Sequence, residues 1–464
     1  MADRIEHDTL GPVPVPEEAL WGAQTERARA NGIPVGRLPW ALLDALVRVK
    51  KGAARVNAEL GLIPGEVGRA IEQAADEILA GQAREAFPLS PFQTGSGTST
   101  HMNVNEVLAN RANELLGGRR GEKAPVHPND HVNRCQSSND VFPTAIHVAA
   151  RKELVGRLVP AAARLGRALT EKAQEFAGVI KLGRTHLMDA LPVTLGQEFG
   201  AYARQVEQGA ARIQRAGRDL LELPLGGTAV GTGVNAHPEF APRVIAWLSR
   251  ELGEAFVRAA DPFEAQGGRD ACVGVSGALR GLAVSLSKIA NDLRWMASGP
   301  HGGLGEIRLP ALQPGSSIMP GKVNPVVPEA VIQAAAQVVG NDAVVAQGGM
   351  GGVLELNLMM PVIARNLLES VALLAGACRL LAERCVAGIE ADPVRCRALV
   401  EGSLALVTPL ARSVGYDVAA RVAKRAQERG VSLLEAALEL GVAPEEQLRT
   451  LLDPQTMLGG EPGR

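Results

Sequence analysis

Residues 315–325 read Gly315-Ser316-Ser317-Ile318-Met319-Pro320-Gly321-Lys322-Val323-Asn324-Pro325. This stretch sets two hydroxyls, an ammonium and an amide between residues that govern backbone shape. Gly315 and Gly321 permit angles that side chains forbid, while Pro320 and Pro325 stiffen the chain between and after them. Ser316, Ser317, Lys322 and Asn324 then supply a base and several charge-stabilising donors, the composition of a catalytic loop that closes over a substrate. Two plainer readings compete. A nucleotide phosphate loop needs Gly-x-x-x-x-Gly-Lys-Ser/Thr, but here five residues separate Gly315 from Gly321, and Val323 stands where a metal-binding hydroxyl belongs. A structural Gly/Pro turn accounts for the backbone residues but does not require the polar set.

The surroundings bound what such a loop can serve. The chain has 464 residues, 46% of them apolar and 21% charged, enough for two or three domains around a large core. Its formal charge of −2 gives no general attraction to nucleic acid or to acidic membranes, and Arg119-Arg120 is too short a basic run to change that. The segment from Met1 to His7 lacks the apolar core of a signal peptide, and no uninterrupted apolar run reaches the length of a bilayer span. A cytoplasmic protein with neither a nucleic-acid nor a membrane partner is expected. Cys135, Cys272, Cys378, Cys385 and Cys396 are odd in number and form no Cys-x-x-Cys pair, so they read as packing residues rather than a disulfide framework or zinc site. His127 and His131 have a metal-compatible spacing, but Pro128 intervenes and no Glu completes a metallopeptidase pattern.

Periodicity predicts helices. Leu367, Val371, Leu374, Cys378, Leu381 and Cys385 recur at four- and three-residue steps, the seam of a helix packed along another. Leu368, Ala372, Leu373 and Ala375 flank that seam, so a helix from about Pro361 to Ile389 should be surrounded by neighbours, including other subunits. Similar patterns run from Arg151 to Phe176, Gln197 to Leu223, Ala271 to Ala297 and Pro328 to Gln347. Five long helices make a bundle. With aromatics at 3%, its core must be filled by small aliphatic side chains. Asp392-Pro393 and the capping box Ser432-Leu-Leu-Glu435 mark a small helical C-terminal unit. The predicted class is mainly all-α with three domains: 1–136, a central bundle 137–391, and 392–464. Gly231-Thr-Gly-Val-Asn-Ala236 fits Gly-x-Gly-x-x-Ala, but without a preceding apolar strand it reads as a turn between helices.

The loop 315–325 also resembles the signature of the fumarase/aspartase lyase superfamily, and the resemblance covers nearly the whole chain. It extends through Thr94-Gly-Ser-Gly-Thr98, Asn103-Val-Asn-Glu-Val107, Val126-His-Pro-Asn-Asp130, Gln136-Ser-Ser-Asn-Asp140, Gly183-Arg-Thr-His186 and Gly226-Gly-Thr-Ala-Val-Gly-Thr-Gly233. It implies a three-domain fold around a central long-helix bundle, a homotetramer whose active sites draw on three chains, and chemistry on a small dicarboxylate without metal or cofactor. Removing a proton from carbon beside a carboxylate creates a dianionic, aci-carboxylate-like species. That species needs a base on one face, an acid for the leaving group, and donors around the charge.

By the resemblance, Ser316 is the carbon-proton base, with Ser317 an alternative that the residues alone leave open. His186 belongs to the acid/base group that handles water, and Glu329 orients or charges it. Lys322 and Asn324 neutralise and hydrogen-bond the carboxylate. Ser96, Thr98, Ser138, Asn139 and Thr185 offer neutral donors, with Gly97, Ser137, Ser317 and Val323 completing the substrate-binding segments. His127, Pro128, Asn129 and Asp130 resemble the family's second, peripheral anion site, though the same residues suit a capped polar turn. His186 and His127 favour the hydratase branch, class II fumarase, because similar aspartases usually carry Gln and often Asn there. Met188 departs from the Gln usual after Thr-His-Leu. Fumarate hydration to L-malate is therefore the expectation. Aspartate ammonia-lyase and a non-catalytic structural role are the alternatives, the last disfavoured by the joint presence of Ser316, Lys322, Asn324, Glu329 and His186.

Overall fold

Helices form where apolar residues recur at three- and four-residue steps. The computed structural model of the protein describes residues 3–459. Met1 and Ala2 of the N-terminal segment, and the last five residues of the expected C-terminal domain, lie outside the described residues. Long helices span Trp40–Glu59, Thr98–Leu115, Ser138–Glu153, Val159–Glu175, Leu195–Ala216, Asp270–Met296, Val326–Gly349 and Met360–Arg384. Every sheet among the described residues has only two strands. The fold is the expected mainly all-α, long-helix class.

Element ends differ from the sequence reading for local reasons. The seam helix stops at Arg384 rather than Ile389, followed by a single 3-10 turn, Val386–Gly388. Its length is thus about 37 Å at roughly 1.5 Å per residue. All six seam residues are buried, from Leu367 to Cys385, and so are the remaining cysteines Cys135, Cys272 and Cys396. The segment expected from Arg151 begins earlier, at Ser138, and passes through a π turn at Leu154–Leu158 before resuming as Val159–Glu175. Pro160 explains that turn, because a proline in an α-helix removes a donor and crowds the carbonyl four residues back, here in Gly156. Asp392 and Ser432 cap their helices as read, accepting from Arg395 N and Glu435 N.

The chain forms two compact units. The first contains the described residues up to Pro160, Gly209–Ala283 and Ala335–Ala375. Its centre is the helix Trp40–Glu59, which buries Leu42, Leu46, Val49 and Ala53 completely and packs on Gly65–Leu79, Ser138–Glu153 and Phe240–Leu252. At Gly52 a Cβ would lie 2.6 Å from the Trp247 ring, so glycine is what lets that aromatic sit against the helix. Glu106, buried in Thr98–Leu115, accepts from Gly22 N, Gln24 N, Thr25 N and Thr25 Oγ. It thereby caps the helix Ala23–Asn31, whose own N-cap residue is a glycine without a side-chain acceptor.

The second unit contains Ala161–Gln208, Val284–Ala334 and the described residues from Gly376 on. Val400, Leu410, Val422, Ala436 and Leu448 from the C-terminal helices form its core with Leu182, which comes from a hairpin absent from the sequence reading. That hairpin pairs Ile180–Thr185 with Met188–Thr194, and its register shifts between Leu182 and Arg184. Among the described residues one helix, Asp270–Met296, has the length and composition to cross a bilayer, although no apolar run of that kind stood out in the sequence. It carries Arg280, bonded to Asp342 Oδ2 at 2.7 Å, and buries Cys272, Val275, Leu279 and Leu282 along one face as a core helix does.

Candidate active site

The loop 315–325 is a closed backbone ring. Gly315 N donates to Lys322 O at 2.7 Å and the Asn324 side-chain amide donates to Gly315 O at 2.6 Å. A Cβ on Gly315 would approach Asn324 N to 2.7 Å and Lys322 O to 2.8 Å, and Gly321 takes a left-handed φ of 82°. Both glycines are therefore required by the ring's geometry. Ser316 Oγ accepts from two consecutive backbone amides, Met319 N at 3.0 Å and Ile318 N at 3.2 Å. Two fixed N–H dipoles on one hydroxyl oxygen make a short turn, and the same pair favours negative charge on that oxygen. Ser317 and Lys322 are exposed, as are Ile318, Met319 and Val323 beside them. Glu329 lies in the first turn of the helix Val326–Gly349, which starts immediately after the ring.

His186 occupies the tip of the hairpin. With Leu187 it forms a two-residue turn in which both residues have positive φ, 56° and 61°. Such turns are usually filled by Asn and Gly, because non-glycine residues are strained there. The base of the hairpin holds that tip in place. Arg184 Nη1 donates to the fully buried Glu306 at 2.9 Å, Lys181 bonds Glu198 at 2.9 Å, and Ser403 Oγ donates to Asp189 at 2.9 Å. At Gly183 a Cβ would sit 2.4 Å from Leu191 O, so the bulge depends on glycine. Thr185, His186, Leu187 and Met188 all face outward. Among the described residues no hydrogen bond joins His186 to Ser316, Lys322 or Glu329.

Four of the neutral donors, Ser96, Thr98, Ser138 and Asn139, belong to the first unit, whereas Thr185 lies on the hairpin of the second. Gly95 and Gly97 press the backbone around Ser96 against neighbours: a Cβ would fall 1.9 Å from Leu358 O at the first and 2.4 Å from the Phe142 ring at the second. Ser96 Oγ and Thr98 Oγ1 meet at 2.8 Å where the helix Thr98–Leu115 begins. Ser137 caps the helix Ser138–Glu153 reciprocally with Asp140. Asp140 Oδ2 also accepts from Gly226 N at 2.9 Å and Thr228 N at 3.1 Å, tying down the Gly226–Gly233 loop. Burial pushes the Asp140 carboxyl up to about 6 against these bonds. Asn139 Nδ2 donates to Ala229 O. The Gly231–Ala236 segment is the expected turn, with positive φ at Gly231, Gly233 and Asn235. A two-residue parallel pair, Glu222–Leu223 with Val257–Arg258, flanks it, a pairing the sequence reading lacked. The next helix does not begin until Phe240, so the turn has no helix N-terminus to offer a pyrophosphate.

Around His127 the turn itself uses the polar atoms. His127 Nδ1 accepts from Asn129 N and Asp130 N at 3.2 Å, and His131 Nδ1 accepts from His127 N at 2.8 Å. Asn129 and Asp130 point to solvent.

Two residues missed by the sequence reading, His101 and Lys50, sit behind Ser138. His101 Nδ1 lies 2.7 Å from Ser138 Oγ and its Nε2 lies 2.5 Å from Lys50 Nζ. Lys50 also donates to Asn133 Oδ1 and Gln136 Oε1, each at 2.9 Å. Lys50, His101 and Asp140 are all buried. Burial lowers Lys50 and His101 well below their usual values, with the Lys50 charge adding to the effect on His101.

Comparison with known proteins agrees with these motifs. A family model described as Lyase matches residues 11–340, and one described as Fumarase C C-terminus matches 406–459. The chain is 53% identical over 455 residues to the class II fumarate hydratase of Nitrosomonas europaea, covering 98% of both chains. It is 53% identical over 460 residues to that of Neisseria meningitidis, covering 99% of both. The crystal structure of class II fumarase from Schistosoma mansoni superposes with a TM-score of 0.95 at 38% identity, covering 98% of this chain and 99% of that one. With half its residues identical to such relatives over nearly its whole length, and the same fold as a solved class II fumarase, the chain belongs to the class II fumarate hydratase family.

Proposed function

We propose that the protein is a fumarate hydratase, interconverting fumarate and L-malate by anti addition and elimination of water through an aci-carboxylate intermediate. In this reading Ser316 removes the carbon proton as an alkoxide. The observation that carries it is the pair of amides, Ile318 N and Met319 N, already aimed at Ser316 Oγ, because a serine becomes a useful base only where its anion is stabilised. Lys322 adds positive charge for the substrate carboxylate, and Asn324 braces the ring. His186, supported by Glu329, handles the water. Ser96, Thr98, Ser138, Asn139 and Thr185 bind the diacid, with Gly97, Ser137 and Val323 shaping the segments around them.

The exposed placement of the loop and of the His186 tip supports completion of each site by neighbouring chains in a homotetramer. The His127–Asp130 turn is a peripheral anion position, and the enzyme works in the cytoplasm. Steady-state assays with L-malate and L-aspartate side by side test the reading. Malate dehydration without ammonia release from aspartate is expected, and the reverse would replace it with aspartate ammonia-lyase.

A further inference from the structure

The direction of the Lys50–His101–Ser138 chain follows from the charge on Lys50. An ammonium carries three donors and no acceptor. Lys50 Nζ has three polar neighbours, Asn133 Oδ1, Gln136 Oε1 and His101 Nε2. If Lys50 is charged, each neighbour must accept, so His101 Nε2 carries no proton. A neutral imidazole then holds its proton on Nδ1, which donates to Ser138 Oγ 2.7 Å away. With one lone pair occupied from behind, the Ser138 hydroxyl is left to donate forward, away from the core. Were Lys50 an uncharged amine, its lone pair would take a proton from Nε2 and Nδ1 would become an acceptor. The Ser138 proton would then turn inward, leaving only lone pairs toward solvent. Of the charged groups near Lys50, the Asp140 carboxylate favours the ammonium and burial opposes it.

We propose that Lys50 and His101 are positioning residues: the buried ammonium selects the imidazole tautomer, and the tautomer aims the Ser138 proton at a carboxylate oxygen of the bound diacid. An outward lone pair would repel that oxygen, and an outward proton binds it. The proposal rests on the reading of Ser138 as a substrate-binding hydroxyl. It gives a function to a buried lysine and histidine that the reaction itself does not touch.

Two measurements decide it. Neutron diffraction of the unmodified enzyme should place deuterium on His101 Nδ1 and none on Nε2, and the opposite tautomer would overturn the proposal. The second is a double-mutant cycle in kcat/KM for fumarate hydration, using His101→Leu, Ser138→Ala and the pair. Each single change should lower kcat/KM by roughly ten-fold or more, mainly through KM, and the pair should be no worse than Ser138→Ala alone. His101→Asn, which offers an amide N–H near the position of Nδ1, should recover part of the loss. Effects that multiply would make His101 a packing residue and sink the relay. If Ser138→Ala hydrates fumarate normally, the relay has no target and is refuted while the hydratase reading stands. Absence of fumarate turnover in the unmodified protein would instead refute that reading.

Discussion

At the scale of single residues, the loop's unusual backbone was legible because its parts are neighbours in sequence. Gly315, Gly321 and the two prolines announce an unusual backbone, and the groups it carries lie within the same eleven-residue stretch. The proposed preference for Ser316 over Ser317 was not legible from the residues alone, since it rests on which oxygen the Ile318 and Met319 amides face. Ser316→Ala should lower kcat by about 10²–10⁴-fold with a smaller change in KM, and Ser317→Ala should cost less. Equal losses in kinetic assays would remove the distinction. Lys50 and His101 were invisible for the opposite reason: they meet across 51 positions of sequence. Buried titratable residues of this kind also leave a signature in solution. His147 is held down to about 4 by burial and by the Arg269 charge, against its bond to Glu222 O. The unfolded chain takes up a proton near pH 6.5 that the folded one refuses until about 4. Stability is therefore fully present above the higher value and falls as pH drops toward the lower, by up to about 1.4 kcal/mol per pH unit for each such proton. His101 acts in the same direction. His147→Asn retains an amide N–H for Glu222 O but no titration, so its denaturant midpoint should change less between pH 7 and pH 5. An unchanged slope would assign the acid sensitivity elsewhere.

At the scale of elements, helices declared themselves by apolar period and capping, and the hairpin at Ile180–Thr185 and Met188–Thr194 did not. Its turn residues, His186 and Leu187, are not the Asn-Gly pair that signals such a turn, and their positive φ is imposed by the structure around them. The Arg184–Glu306 pair and the Leu182 contact with the C-terminal helices supply that constraint from distant sequence. A strained tip carrying the proposed water-handling imidazole should thus depend on the strands beneath it more than on its own residues. Gly183 is where this can be measured. A methyl there would collide with Leu191 O, so the bulge must open and the tip must move. Gly183→Ala should cost roughly 1–3 kcal/mol of stability. Because misplacement of about 1 Å can cost about 10²-fold in rate, the protein that remains folded should also lose most of its activity. A fully active, equally stable variant would show that the tip does not rely on this anchor.

At the scale of the whole molecule, the surface left by one chain points beyond that chain. The helix Val326–Gly349 has only two ionisable residues, Glu329 and Asp342, yet turns Ala330, Ala336, Val339, Gly340, Ala343 and Val344 outward. On Asp270–Met296, Val284 and Trp295 are 58% and 46% exposed. Long helices with small, uncharged outer faces are suited to packing against other helices, and a solvated face would carry charge. The seam periodicity gave part of this, since it predicted helices too apolar for a surface, but a single sequence shows no partner. In the proposed assembly the exposed His186 tip and the loop 315–325 acquire the rest of their site from other protomers. Gly340→Arg tests the dependence directly. A Cβ at this position would meet nothing within 4 Å in its own chain, so the substitution should leave each protomer folded while setting a charge in a helix–helix interface. Sedimentation should then show mass falling from four times 48.6 kDa toward one, with helical content kept and fumarate hydration lost in step. Monomers that hydrate fumarate at the full rate would mean that each chain builds its site alone.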